Sequence, residues 1–468
     1  MRQSSLDETV VTGFRSGLRG PLLLRDADKE AFEDSCTIWN GMIRSRPALV
    51  VRPTGTADVV ECLRFARQHS LLVSPKGGGH NIAGTCLAEN GLMVDMRLMR
   101  GVFVDPKQKL VRVQAGCLLG DVDRETQLHG LATVLGFISE TGVAGLTLGG
   151  GIGYLTRRFG WTCDNLVELE LVTADAEVVT ASADENADLF WALRGGGGNF
   201  GIVTSFTFRL HEVGPTVTGG MIVWPADQAE AVLSTFAEMT SASTRDLTLV
   251  STMRLAPPAP FLPKEAHGTP IVGVVACHSG TPAQAQKDLA PLRRLGKPLV
   301  DLIVQKPYVA QQTMLDATQP KGLHYYWKSE YLPSLTQEIV DAYRAHGASV
   351  PTAQSQVFMF QVGGAIGDRP ADDGAVGNRD AQFVFGAAGA WLPADPNAER
   401  HTAWVRGAWD AMRPLATGGV YVNFLTEEEG EDRVRAAYRD NFARLTAVKA
   451  KYDPDNVFRV NKNVRPQA

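Results

Sequence analysis

The 468-residue sequence predicts an α+β fold, and three observations carry that prediction. Strand-like runs pair up as hairpins, helical patterns interrupt them without alternating strictly with every strand, and glycine triplets crowd the first part of the chain and stop near residue 212. The first part has an amphipathic helix in "TADVVECLRFARQHS", residues 56–70. It feeds the apolar strand "LLVSP", which ends at the loop "KGGGHN".

"GLMVDM" reads as a strand. "GVFVDPKQKLVRVQAG" reads as a hairpin turning at Asp105 and Pro106, and "GDVDRETQLHGL" as a helix with an acidic first turn. A glycine-dense centre over 140–165 leads to a second hairpin, "LVELELVTADAEVVTAS", then the helix "ENADLFWALRG" and the strand "IVTSFTFRL". From about 216, "GGMIVWPADQAEAVLSTFAEM", "DLTLVSTMRLAP", "TPIVGVVACHSG", "SQVFMFQVGGAIG" and "AQFVFGAAGAWL" predict a largely antiparallel sheet with helices on one face. One charged helix is expected across "EDRVRAAYRDNFARLTAVKAKY" near the end.

Composition narrows the function classes. A formal net charge of −5 with scattered Lys and Arg offers no basic field for a nucleic acid. No apolar run is long enough to span a bilayer, and the first residues lack a signal-peptide apolar core, so a cytoplasmic protein with no membrane partner is expected. The six cysteines stand far apart and are expected to be buried thiols, and the nine histidines show no metal-ligand spacing, so no metal is expected.

The glycine clusters carry the chemistry. Runs of backbone N–H groups can cradle a pyrophosphate without basic side chains, and glycine permits the approach. The G-x-G-x-x-G at Gly196, Gly198 and Gly201 lies after a helix and before a strand, the reverse of a Rossmann fingerprint, which disfavours NAD(P). No G-x-S-x-G appears, and His80 has neither Asp nor Cys beside it, so hydrolysis recedes. A histidine at such a cradle could bond a phosphate, act as a base or carry a cofactor covalently; spacing leaves the three open.

The segments "PKGGGHNIAG", "TGVAGLTLGGGIGYLTRRFG", "DNLVELELVTADAEVVTASADENADLFWALRGGGGNFGIVTSFTF", "YVNF" and "YDPDNVFRVNKNV" occur in this order across nearly the whole chain. Together they resemble the bacterial berberine-bridge-enzyme-like FAD-linked oxidoreductases, of the vanillyl-alcohol oxidase / p-cresol methylhydroxylase flavoprotein fold. The resemblance implies a two-subdomain FAD-binding domain over 1–211, completed by 414–468, and a substrate-binding domain over 212–413. It also implies that the His80 imidazole bonds the 8α carbon of FAD. Lys76, Gly77, Gly78, Gly79, Asn81, Gly84, Gly142, Gly145, Gly149, Gly150 and Gly153 would form the cofactor segments, with Ile202 and Val203 on the adenine side; Asn461 and Asn463 could hydrogen-bond the flavin edge or cap the last turn. Many members carry a second link from a cysteine; here Ile138 stands in that place, which implies FAD tethered through His80 only.

The same resemblance places Thr141 where oxygen access is controlled, and Tyr421 over the flavin with Asn423 close by. A tyrosine assisting hydride transfer by taking a hydroxyl or amine proton would need a neighbouring cation or the flavin's field, since a phenol ordinarily titrates near 10. Tyr326 and Trp327 in "HYYWKSEYL", and Gln361 in "FMFQVGG", are candidate substrate-pocket residues, because flat rings with polar tips suit an organic ring. The expected activity is an FAD-dependent oxidase that removes hydride from an alcohol or amine carbon of a small aromatic or secondary-metabolite substrate and passes the electrons to O2, giving H2O2. Rivals are a flavin dehydrogenase with another acceptor, an oxygenating tailoring enzyme, and a flavin-bearing binding protein without turnover. Oligomeric state is not legible in the residues.

Overall fold

A computed structural model of the chain describes residues 7–467. It is α+β, as expected, and three sheets organise it. In the first, Leu22–Leu24, Leu49–Val51, Leu92–Asp95 and Val73–Lys76 lie in that order, the last three mutually parallel. The helix Thr56–Gln68 makes the crossover from Leu49–Val51 to Val73–Lys76, burying Val59, Cys62, Leu63 and Ala66 at helical spacing.

The second sheet is antiparallel. Its strands are Val102–Asp105, Leu110–Gln114, Ile202–Arg209, Leu166–Val172 and Val178–Ser182, and both expected hairpins lie in it. The third is an eight-stranded antiparallel sheet. Thr216–Pro225, Pro270–His278, Leu247–Leu255, Gln356–Gln361, Phe383–Trp391 and His324–Leu332 run in that order, with the short Val300–Asp301 and Val304–Pro307 on the outer side of the first.

Alternation divides this third sheet into two faces. Leu247, Leu249, Met253, Val272, Val274, Val357 and Met359 pack with Val232, Phe236, Ile339, Tyr343, Val405 and Met412 of three helices, Ala229–Ala242, Gln337–Ala348 and Ala398–Met412. Residues of the opposite parity face the first two sheets across a cavity.

The expected single charged helix near the C-terminus is two, Glu431–Tyr438 and Asn441–Tyr452. Arg439 takes φ 49° between them, and Asn378 Nδ2 donates to Ala437 O at 3.0 Å, satisfying a carbonyl the break leaves free. All six cysteines are buried and unbridged. No helix among the described residues is long and apolar enough to cross a membrane.

Candidate active site

The cavity has a volume of about 420 Å3 and lies between the third sheet and the glycine loops of the first two. Its first wall is backbone. The strand Val73–Lys76 ends at Gly77, and Gly77, Gly78, Gly79, His80 and Asn81 all line the cavity. Among the described residues the amides of these five find no protein acceptor. Five consecutive free N–H groups are what an anionic cofactor backbone requires.

The glycines here serve contact as much as flexibility. A Cβ on Gly78 would stand 2.4 Å from Gly142 N, and one on Gly142 would stand 2.2 Å from Gly78 N, so the two loops meet backbone to backbone. Gly79 has φ 68°, where a side chain is strained. Lys76 does not line the cavity, contrary to expectation. Its ammonium donates to Ser35 O at 2.5 Å and sits 3.6 Å from the buried Asp95, anchoring the loop from behind.

His80 is stacked on Trp39, with ring centroids 4.5 Å apart, and Trp39 is stacked on Tyr325 at 3.8 Å. Trp39 N also donates to Gly79 O at 3.0 Å, so the ring stack and the loop are one unit. The Nε2 atom of His80 is sealed from solvent and has no partner. Burial pulls the imidazole down to about 4, so it is neutral at physiological pH.

Gly142, Gly145 and Gly149 line the cavity around the short helix Val143–Leu148, and Thr141 precedes them. Three other glycines depart from the expected role. Gly84 packs against Ile43, Gly150 turns the chain at φ 109° beside Val376, and a Cβ on Gly153 would stand 1.6 Å from Leu135 O; none of the three lines the cavity. Val203 lines it and Ile202 does not, because neighbours on a strand face opposite ways. Asn461 lines it with its Oδ1 unpartnered. Asn463 lies outside, although its Oδ1 is also buried without a partner.

Tyr421 and Asn423 close the site. The Tyr421 hydroxyl accepts from Gly151 N at 3.1 Å and from Asn423 Nδ2 at 2.9 Å, and Asn423 also donates to Leu146 O at 3.1 Å. Burial pushes the phenol well above its ordinary value, and the two donors only partly offset this. No cation among the described residues pairs with it, so it holds its proton at neutral pH and presents an O–H donor. Lys462, which sequence reasoning passed over, lines the cavity and donates to Thr426 O at 2.6 Å; burial lowers it to about 8.

The second wall is the sheet face bearing Met221, Val223, Val250, Thr252, Arg254, Gly273, Gln356, Phe358 and Phe360. Trp327 joins it, as expected. Two other candidate pocket residues do not. Tyr326 projects to the helical face, where its hydroxyl donates to Glu428 and accepts from Arg406 Nε at 3.0 Å. Gln361 also points away, its Oε1 accepting from Leu249 N at 3.1 Å and its Nε2 donating to Thr240 O at 3.2 Å. Both corrections have one cause, the two-residue period of a strand, which lets only one of Tyr326 and Trp327, and only one of Phe360 and Gln361, reach the cavity. The alternating aromatics of "VFMF" were the missed signal.

Comparison with known proteins gives the family. Residues 47–182 match the family model described as an FAD binding domain, and 420–465 match the one described as berberine and berberine like. An FAD-linked oxidoreductase of Dictyostelium discoideum is 30% identical over 98% of this chain and 97% of its own. The chain belongs to the berberine-bridge-enzyme-like FAD-linked oxidoreductases. Within this family, (R)-6-hydroxynicotine oxidase of Paenarthrobacter nicotinovorans is 30% identical, over 94% of this chain and 96% of its own.

The crystal structure of 6-hydroxy-D-nicotine oxidase from Arthrobacter nicotinovorans superposes with a TM-score of 0.83 at 27% identity, covering 96% of this chain and 98% of that one. A glucooligosaccharide oxidase from Acremonium strictum whose FAD is held by both a cysteine and a histidine shares the fold, with a TM-score of 0.86 at 24% identity over 98% of this chain and all of its own. The residues here fit FAD: a glycine cradle with free amides, an imidazole at the end of that loop, and a largely apolar cavity beside them. This oxidoreductase is an enzyme that binds FAD.

Proposed function

We propose that this family member is an oxidase carrying FAD on His80 alone, acting on an alcohol or amine carbon of a small aromatic or secondary-metabolite substrate with O2 as acceptor. The observation that supports it most is the placing of His80, which lines the cavity at the end of the Gly77–Gly79 loop, neutral and stacked in place by Trp39. A single tether is supported by residue type: Ile138 lines the cavity, and by the family resemblance it occupies the place of the linking cysteine that many members carry. In this reading residues 1–211 with 414–468 hold the cofactor and 212–413 hold the substrate.

Bound FAD would supply the hydride acceptor and deliver two electrons to O2, giving H2O2 as the substrate carbon becomes a carbonyl or imine. The chain's own groups do the rest. The Gly77–Asn81 amides bind the phosphates, and Trp327, Phe358 and Phe360 exclude water and orient a ring. Tyr421 donates its O–H into the site and is held in place by Gly151 N and Asn423. Thr141, small and β-branched, leaves room for O2 beside the loop.

Acid precipitation of the purified protein tests the tether. Yellow colour retained in the wild-type pellet and released from His80→Ala is the expected result; release from both means a dissociable flavin and shifts weight to a dehydrogenase. Oxygen uptake with peroxide formation, set against reduction of an artificial dye, then separates the two acceptors.

A further inference from the structure

Arg254 is the residue the chemistry above leaves unexplained. It lies in the strand Leu247–Leu255, with Ile271 and Gln356 as its register partners, on the cavity-facing side of the sheet. Its Nη2 donates to Ala353 O at 2.7 Å, but Nε is buried and has no partner. No carboxylate pairs with it among the described residues, and none of the residues lining the cavity is Asp or Glu. Burial alone disfavours its charge.

Lys462, the other cationic side chain of the cavity, differs. It has Thr426 O as acceptor and feels the charges of Glu429 and Glu427. An arginine facing an apolar cavity without a counter-charge is costly, because the guanidinium does not lose its proton and its desolvation is uncompensated.

The neighbours of Arg254 extend the pattern. Thr252 Oγ1 donates to Gln356 Oε1 at 2.9 Å, which turns the Gln356 amide so that its Nε2 hydrogens have no protein acceptor among the described residues. Two donor groups thus stand side by side on adjacent strands, next to the rings of Phe358 and Phe360. Phe261, 42% exposed, lies in the segment that follows Arg254 and lines the same cavity. The phosphate-type donors, the Gly77–Asn81 amides, belong to the other wall.

We propose that Arg254, assisted by the Gln356 amide, receives a carboxylate of the substrate, so that the chain oxidises an aromatic carboxylate bearing the alcohol or amine carbon. This rests on the oxidase reading for the reaction but not for the binding. With Nη2 held by Ala353 O, the Arg254 Nη1 hydrogens and the Gln356 amide would each donate to a carboxylate, the aromatic walls take the ring, and a neutral substrate would leave the charge unmatched.

Calorimetry on the flavin-loaded protein tests it with benzoate, trans-cinnamate and 4-phenylbenzoate, each against its carboxamide. At least one carboxylate is expected to bind about tenfold or more tightly than its amide, the value of one charge-assisted hydrogen bond. That ratio should fall to about one in Arg254→Met and lie between the two in Arg254→Lys. A ratio of about one for all three pairs in the wild type, or one undiminished in Arg254→Met, overturns the proposal. Should Arg254→Met fail to fold, Arg254→Lys and Gln356→Leu decide by the same ratio, which must fall in each.

Flavin bleaching by 4-(hydroxymethyl)benzoate and 4-(aminomethyl)benzoate, compared with their amides, separates the two claims. Bleaching without carboxylate preference overturns the role of Arg254 and leaves the oxidase. Preference in binding, with no bleaching by any alcohol or amine, supports the role of Arg254 and overturns the oxidase.

Discussion

The two walls of the cavity are built by opposite rules. One is backbone, where loops joined at Gly78 and Gly142 expose amides and have no room for a methyl group. The other is side chain, where three strands present Met221, Val223, Val250, Thr252, Arg254, Phe358 and Phe360 through their pleat. A wall of glycine backbone in contact with a second loop has little room for substitution. A wall of alternating side chains can change residue by residue without losing the sheet, which is where relatives with the same fold can differ in substrate.

The comparison breaks most visibly at the glycine contact. Gly142→Ala places a Cβ 2.2 Å from Gly78 N, and the loops must separate. We expect a loss of about 3 kcal/mol or more and a protein isolated with little flavin, read from the flavin-to-protein absorbance ratio and the melting temperature.

Tyr421→Phe, at the junction of the walls, keeps the ring but removes the acceptor of Gly151 N and Asn423 Nδ2. Flavin content should be unchanged and anaerobic reduction slower by about 10- to 100-fold. Because the wild-type phenol stays protonated, the variant should not lose an ionisation between pH 6 and 9. A wild-type titration in that window that disappears in Tyr421→Phe would show Tyr421 acting as the base.

Asp123 sharpens the comparison from behind the seam, where Gln312 Nε2 donates to its Oδ2 at 3.0 Å and to Gly136 O at 3.4 Å. Burial raises its carboxyl to about 7. The folded state therefore keeps a proton the unfolded chain has released, and stability falls as pH rises from about 4 through 7. Asp123→Asn should be close to neutral at pH 4 and stabilising by about 2 kcal/mol at pH 8, as followed by denaturant unfolding at the two values.

Thr252→Val is the mildest change. It removes the hydroxyl that orients Gln356 while keeping the volume. Flavin content and stability should be nearly unchanged, and KM for the true substrate should rise by a few-fold, with kcat less affected, in steady-state kinetics.

Much of the architecture was legible because its signals are local. The helix Thr56–Gln68, the strand Val73–Lys76 running into its glycine loop, and both hairpins of the second sheet follow from apolar spacing and turn residues. The site was legible where a motif had to be continuous, as in Gly77–Asn81 with His80. It failed where only parity decides. Tyr326, Gln361 and Ile202 each sit one residue from a cavity-facing neighbour, and a strand's face cannot be read until its partners are known. Lys76, Gly84 and Gly153 failed for another reason, since they support the loops from behind.

By itself the sequence determined the α+β class, the glycine cradle, the histidine it delivers and the family, since all are written in contiguous residues. Only the tertiary structure decided that Trp39, forty-one positions before His80, clamps its ring, that Tyr421 keeps its proton, and that Arg254 faces the cavity without a counter-charge. The reason is physical. Ring stacking, burial and the absence of a neighbouring carboxylate depend on what other segments bring close, and no local pattern records that.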